Sequence, residues 1–135
     1  MSRLDQHSAF GFLIYYPFYV FWTGQLLMDG FAVIGIVLFS MLPDLDIFYG
    51  GYKKKGLQNL DENYQHHYKS VAHYPVLYLP FVVAFIVSVV LNFYAVYFLI
   101  PCVGIYLGHF LFDTIACGDG IMWTKIPWKK EYAPF

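Results

Sequence analysis

Leu42-Pro43-Asp44-Leu45-Asp46 sets two carboxylates two positions apart, directly after a proline. Pro43 stops the apolar run before it, so both side chains are expected on irregular backbone, free to turn toward one point. Further along, Gln65-His66-His67-Tyr68-Lys69-Ser70-Val71-Ala72-His73 holds three of the chain's five histidines. Neutral imidazole is a common ligand for zinc, iron and manganese. His109 and Asp113 stand four apart, so a helix places them on one face. That pair also reads as a hydrogen bond satisfying two buried groups. A central intramembrane aspartate costs about 2.5–3.5 kcal/mol to insert, so a partner or an ion is expected in either case.

Taken together, Asp44, Asp46, His67, His73, His109 and Asp113 form a nitrogen-and-carboxylate set without cysteine. Such a set suits a divalent zinc, manganese or iron ion, and several carboxylates have room for two. Asp44 is the candidate general base, and His66, next to a proposed ligand, the candidate proton shuttle. Other chemistries lack their residues. No Gly-x-Ser-x-Gly elbow, phosphate loop, zinc-finger cysteine spacing or dinucleotide-binding glycine pattern occurs. Cys102 and Cys117 are too few for a disulfide framework and read as packing residues.

The elements that must position these groups follow from composition. Of 135 residues, 59% are hydrophobic and only 13% charged, with a mean hydropathy of +0.53. Soluble domains carry about a quarter charged residues, so an ordinary water-soluble domain is excluded, as is a disordered tail. A formal charge of −1 excludes a basic nucleic-acid-binding module. The expected architecture is a single all-α membrane domain over 1–135, with about four transmembrane helices.

The first span is expected at Ala9–Met28, a retained helix without a clear signal-peptide cleavage pattern. Phe31–Leu42 is a short second span, possible as a re-entrant segment. Residues 74–108 run without a charge; as one straight helix they would measure roughly 52 Å, so the run must fold back. Asn92 is the expected break, giving Pro75–Leu91 and Phe93–Phe112, the latter kinked at Pro101. Gly104 and Gly108, four apart, allow a close helix crossing. Between the second and third spans, 50–63 reads as a polar loop. Four crossings put all eight basic residues on one side, with both termini and the 44–72 segment. The positive-inside rule makes that side cytoplasmic, and the lysine triplet at 53–55 its anchor.

The order of these motifs resembles the LexA-regulated, inner-membrane-bound family of metal-dependent hydrolases. Leu42-Pro43-Asp44-Leu45-Asp46 matches its Leu-Pro-Asp-x-Asp signature, and 67–73 is similar to its His-Arg-…-Thr-His element. His109 to Asp113, then Thr114, Gly120, Trp123 and Pro127, resembles the closing His-x-x-x-Asp region. The resemblance covers nearly the whole chain. Tyr68 stands in place of the family's Arg, Ala72 of its Thr and Tyr74 of its Ser. The N-terminal histidine has only a weak counterpart in His7, which stays outside the expected ligand set. The resemblance implies a divalent metal, an inner-membrane location and hydrolysis, but no substrate; the membrane location makes lipid a partner and a phosphoester or lipid-derived compound the expected substrate. Two further readings compete. One is a non-catalytic protein whose His/Asp cluster clamps the helices; the other, metal-ion handling, lacks a polar path through 75–108.

Overall fold

The computed structural model describes residues 4–47 and 71–116 of the protein. Those residues are all-helical, without strands, and form four rods. Helix α1 spans Leu4–Thr23, and α2 spans Gly30–Met41, tightening into a 3-10 turn over Leu42–Ile47. Two short 3-10 turns, Val71–His73 and Pro75–Tyr78, lead into α3, Leu79–Val90. The last rod begins as α4, Ala95–Cys102, widens to a π-helix over Val103–Leu111, and ends as α5, Phe112–Ala116.

The helix boundaries have local causes. Asp29 caps α2, its Oδ1 accepting the Ala32 N–H at 2.9 Å. Its Oδ2 accepts the hydroxyls of Tyr97 at 2.7 Å and Tyr19 at 3.0 Å, tying α1, α2 and α4 at one end of the bundle. The Tyr97 hydroxyl, then the Ala32 N–H, hold the Asp29 carboxyl below its ordinary 3.8. Its contribution to stability is therefore complete above that ordinary value and fades as pH falls through the depressed one. The break expected at Asn92 is a helix-ending motif: the Phe93 N–H reaches the Ser88 carbonyl and the Asn92 N–H that of Val89. Asn92 takes φ 50°, a left-handed conformation asparagine tolerates well.

One expectation shifts. The backbone after Pro43 is a regular 3-10 turn, because a proline fits the first turn of a new helical segment. The last rod runs on through Pro101, as expected. That proline has no N–H for the carbonyl four residues back, and the helix widens to π just beyond it.

Burial in α1 falls on His7, Gly11, Tyr15 and Tyr19, and in α2 on Ala32, Ile36 and Ser40. Both stripes step by four, the ridge that packs helices at a crossing angle. The last rod sits between the others, packing on α1 and α2 through its π segment and on α3 through α4. In the π segment, burial comes in consecutive triplets, 103–105 and 108–110, as expected of a helix enclosed on several sides.

Small residues set the spacing of these rods. A Cβ added at Gly108 would lie 2.9 Å from the Gly11 Cα, and one at Gly104 would lie 2.8 Å from the Phe39 Cβ. Ser40 fits where α1, α2 and the π segment meet, 2.1 Å from a Cβ built on Gly11. The small-residue crossing expected from Gly104 and Gly108 is thus present, with Gly11 and Ser40 as its counterparts. The outer faces are apolar as well: Phe21 is 84% exposed and Leu27 86%. Among the described residues, Ala95–Ile115 is the one helix long and apolar enough to cross a membrane. Gly30–Leu45 and Pro75–Val90 are apolar but shorter.

Gly108→Ala should destabilise the protein by about 1–3 kcal/mol, the usual cost of overpacking. Gly30→Ala, whose added Cβ meets nothing within 4 Å, should be near neutral. Thermal unfolding of both variants in mild detergent checks this, and equal midpoints would remove the glycine crossing as a determinant of the fold.

Candidate metal centre

Each buried stripe ends in a chemically active residue. His7 lies four residues before Gly11 on α1, and Asp44 four after Ser40 on the α2 extension. His109 directly follows Gly108 in the π segment, and Asp113 comes four later in α5. The fifth member, His73, arrives on the segment before α3. That segment is held by the Tyr78 hydroxyl donating to the Ala72 carbonyl and the Tyr106 hydroxyl donating to that of Pro75, both at 2.7 Å. All five residues are buried, with exposures of 0–3%.

Their ligand-type atoms converge. His7 Nε2 lies 3.2 Å from Asp113 Oδ1 and 3.7 Å from Asp44 Oδ2. His73 Nε2 lies 3.2 Å from Asp44 Oδ1 and 3.3 Å from His109 Nε2. His109 Nε2 is 3.5 Å from both Asp44 Oδ1 and Asp113 Oδ2. His7, Asp44 and His109 form one trio able to hold an ion, and His73, His109 and Asp113 a second that shares His109.

The imidazole tautomers can be assigned from the far side of the rings. His7 Nδ1–H donates to the Gly108 carbonyl at 3.1 Å, and His109 Nδ1–H donates to that of Ser40 at 2.9 Å. A neutral ring pinned this way presents a bare lone pair at Nε2, which is how ligating histidines are usually oriented. The two rings stack with centroids 4.1 Å and planes 24° apart.

Spacing and charge fit a cation. Donors bound at about 2.1 Å to one ion lie about 3.0 Å apart at right angles and about 3.4 Å apart at tetrahedral angles. The shortest observed separations, 3.2 and 3.3 Å, lie within that range, and those of 3.5–3.7 Å lie a few tenths beyond it. Three neutral imidazoles and two carboxylates sum to −2, a costly charge to bury and one that a divalent ion cancels. The same field acts on His7, ahead of the apolar run. Burial opposes its charge, but with a proton in place of an ion the Nε2–H hydrogen bond to Asp113 and the charges of Asp113 and Asp44 together hold it above the ordinary 6.5, so proton and ion compete for Nε2.

Of the expected ligands, the structure brings together Asp44, His73, His109 and Asp113. Asp46 lies in the same 3-10 turn, but its side chain is outside the described residues, as are His66 and His67. His7 is the ligand the sequence reading left out. Its signal was present, since His7-Gly11-Tyr15-Tyr19 is an unbroken step-four stripe, but a histidine ahead of the first apolar run reads as a flank. Comparison with known family models, curated proteins and solved structures finds no match.

Replacing His109 or Asp113 by Ala should lower bound metal at least about tenfold, and His7→Ala should do the same. Elemental analysis of protein purified in mild detergent, with no metal added, measures it. Full occupancy in all variants would leave a hydrogen-bonded cluster and no metal centre.

Proposed function

We propose that this protein is a membrane-embedded, metal-dependent hydrolase whose site lies at the cytoplasmic face of a bacterial inner membrane. The observation that carries the reading is the convergence of three imidazole Nε2 atoms and two carboxylates, buried and 3.2–3.7 Å apart. The motif resemblance supplies the reaction class. Four crossings would account for the apolar outer faces of the rods. Local thinning of the bilayer accommodates the short rods.

His7, His73, His109 and Asp113 would hold a divalent ion, which would supply Lewis acidity and lower the pKa of water. The chain's own contribution begins with Asp44. Its Oδ1 faces His73 and His109, while its Oδ2 makes the longest contact of the cluster, 3.7 Å to His7. Oδ2 is therefore the oxygen best placed to take a proton from attacking water. His7, bridging Asp44 and Asp113, orients both carboxylates. His66 is the proposed shuttle to solvent. Substrate positioning differs from typical relatives, since Tyr68 and Ala72 stand where an arginine and a threonine would hold an anion.

The complete burial of all five residues favours a second reading, in which a metal only clamps the helices. Turnover separates the two. Asp44→Asn should abolish hydrolysis in a screen of phosphoesters and lipids while leaving the unfolding midpoint within a few degrees of wild type. A metal-loaded wild type that hydrolyses nothing supports the clamp.

Topology has its own check. With Cys102 and Cys117 replaced by Ala, single cysteines at Lys54 and Phe93 should label from opposite sides of the membrane. Labelling from one side would end the four-span arrangement.

A further inference from the structure

The rods leave a groove on the flank of the bundle. It is lined by Phe31, Gly35 and Phe39 of α2, by Phe81 and Ala84 of α3, and by α4 beneath, and it encloses about 320 Å³. The one hydroxyl among its lining residues, that of Tyr97, is turned to Asp29 at 2.7 Å, so the walls are hydrocarbon and aromatic ring. From Phe31 to Phe39 the groove runs roughly 12 Å at helical rise. A slot of that length with wholly apolar walls suits an extended hydrocarbon chain.

Its surroundings name the chain. The groove is continuous with the exposed apolar faces of α2 and α3, where Ile34, Leu38, Val83 and Val87 point outward. On the membrane reading, that surface meets lipid. At the far end, Phe39 and Phe81 close the groove edge to face at 5.5 Å. Behind them pack Tyr78, Ile105 and Phe110. Phe110 in turn meets the His109 ring at 5.5 Å and the His73 ring at 6.3 Å. Two packed layers, Phe39 with Phe81 and then Tyr78, Ile105 and Phe110, separate the groove from the His/Asp cluster.

We infer that the groove seats a single acyl chain of a membrane lipid, and that the compound hydrolysed is a lipid-linked ester whose chain occupies it. The second half rests on the hydrolase reading; the first does not. Gly35 keeps the floor low, because a Cβ there would sit 3.2 Å from the Ile100 side chain. Ala84 keeps one wall thin.

The test places the whole protein in phosphatidylcholine nanodiscs doped with a lysophosphatidylcholine bearing a mid-chain diazirine. Photolysis should label Phe81, Ala84 and Phe98 at least about fivefold more than the outward-facing Leu13 and Val90. Ala84→Trp, and more mildly Ala84→Leu, should remove that excess with bound metal unchanged. Even labelling over all five positions overturns the groove, as does undiminished labelling in Ala84→Trp or a cross-linked dimer that excludes the probe. His109→Ala should retain the groove label, because chain seating does not need the metal. With the same lysolipid and p-nitrophenyl phosphate as substrates, Ala84→Trp should lower turnover of the lipid about tenfold and spare the chainless ester. Equal loss on both overturns the link between groove and substrate. No turnover of either, with the groove label intact, overturns the hydrolase reading and leaves the chain site standing.

Discussion

Three helix backbones meet at Gly11, Ser40 and Gly108 with no side chain thicker than a hydroxymethyl between them. In a membrane this matters more than in water, since lipid tails are as apolar as leucine and helices gain little from burying apolar surface. Close approach is then what holds the rods, and the His/Asp cluster able to hold a metal ion sits one turn beyond it. His7, Asp44 and His109 leave their helices within four residues of the crossing, so their separations are set by backbone contact. Even the acceptors that fix the imidazoles, the carbonyls of Ser40 and Gly108, belong to the crossing. A looser crossing would release the ligands and their orienting groups together.

The widened π segment serves the same geometry. In three successive positions it must give Gly108 to α1, His109 to the metal centre and Phe110 to the segment bearing His73. An α-helix turns about 100° per residue and spreads such a triplet over most of its circumference. A π turn advances less per residue, which keeps the three nearer one side, and π-helical turns are frequent at functional sites for reasons of this kind.

Much of this was legible in the sequence, because the signals were local. The apolar runs, Asp29-Gly30, Asn92 and the glycine pair fixed four rods and the tight turn between the last two. The Asp44, His73, His109 and Asp113 assignments came from spacing and from the cost of ionisable groups beside apolar runs. His7 was hidden because its role depends on α1 crossing the π segment at Gly11, a contact across nearly a hundred residues of sequence. The π widening was equally unreadable: Pro101 signals a defect in hydrogen bonding but not how the helix absorbs it. Whether the shorter rods cross a membrane turns on their surroundings, and helix length and apolarity single out Ala95–Ile115 alone.

Counting donors bears on what the centre is for. A structural zinc site is closed by four ligands, and additional donors there gain nothing. Here His7, His73, His109, Asp44 and Asp113 offer five side chains within one cluster, before any contribution from Asp46. On a four-coordinate ion one donor is left over, and a buried carboxylate left over beside a cation is a base with a lowered but usable proton affinity. On a six-coordinate ion five donors would leave one position open to water. On the hydrolase reading such a surplus supplies the base or the water position that the chemistry needs. On the clamp reading it satisfies buried groups around the ion, and turnover is what tells the two apart.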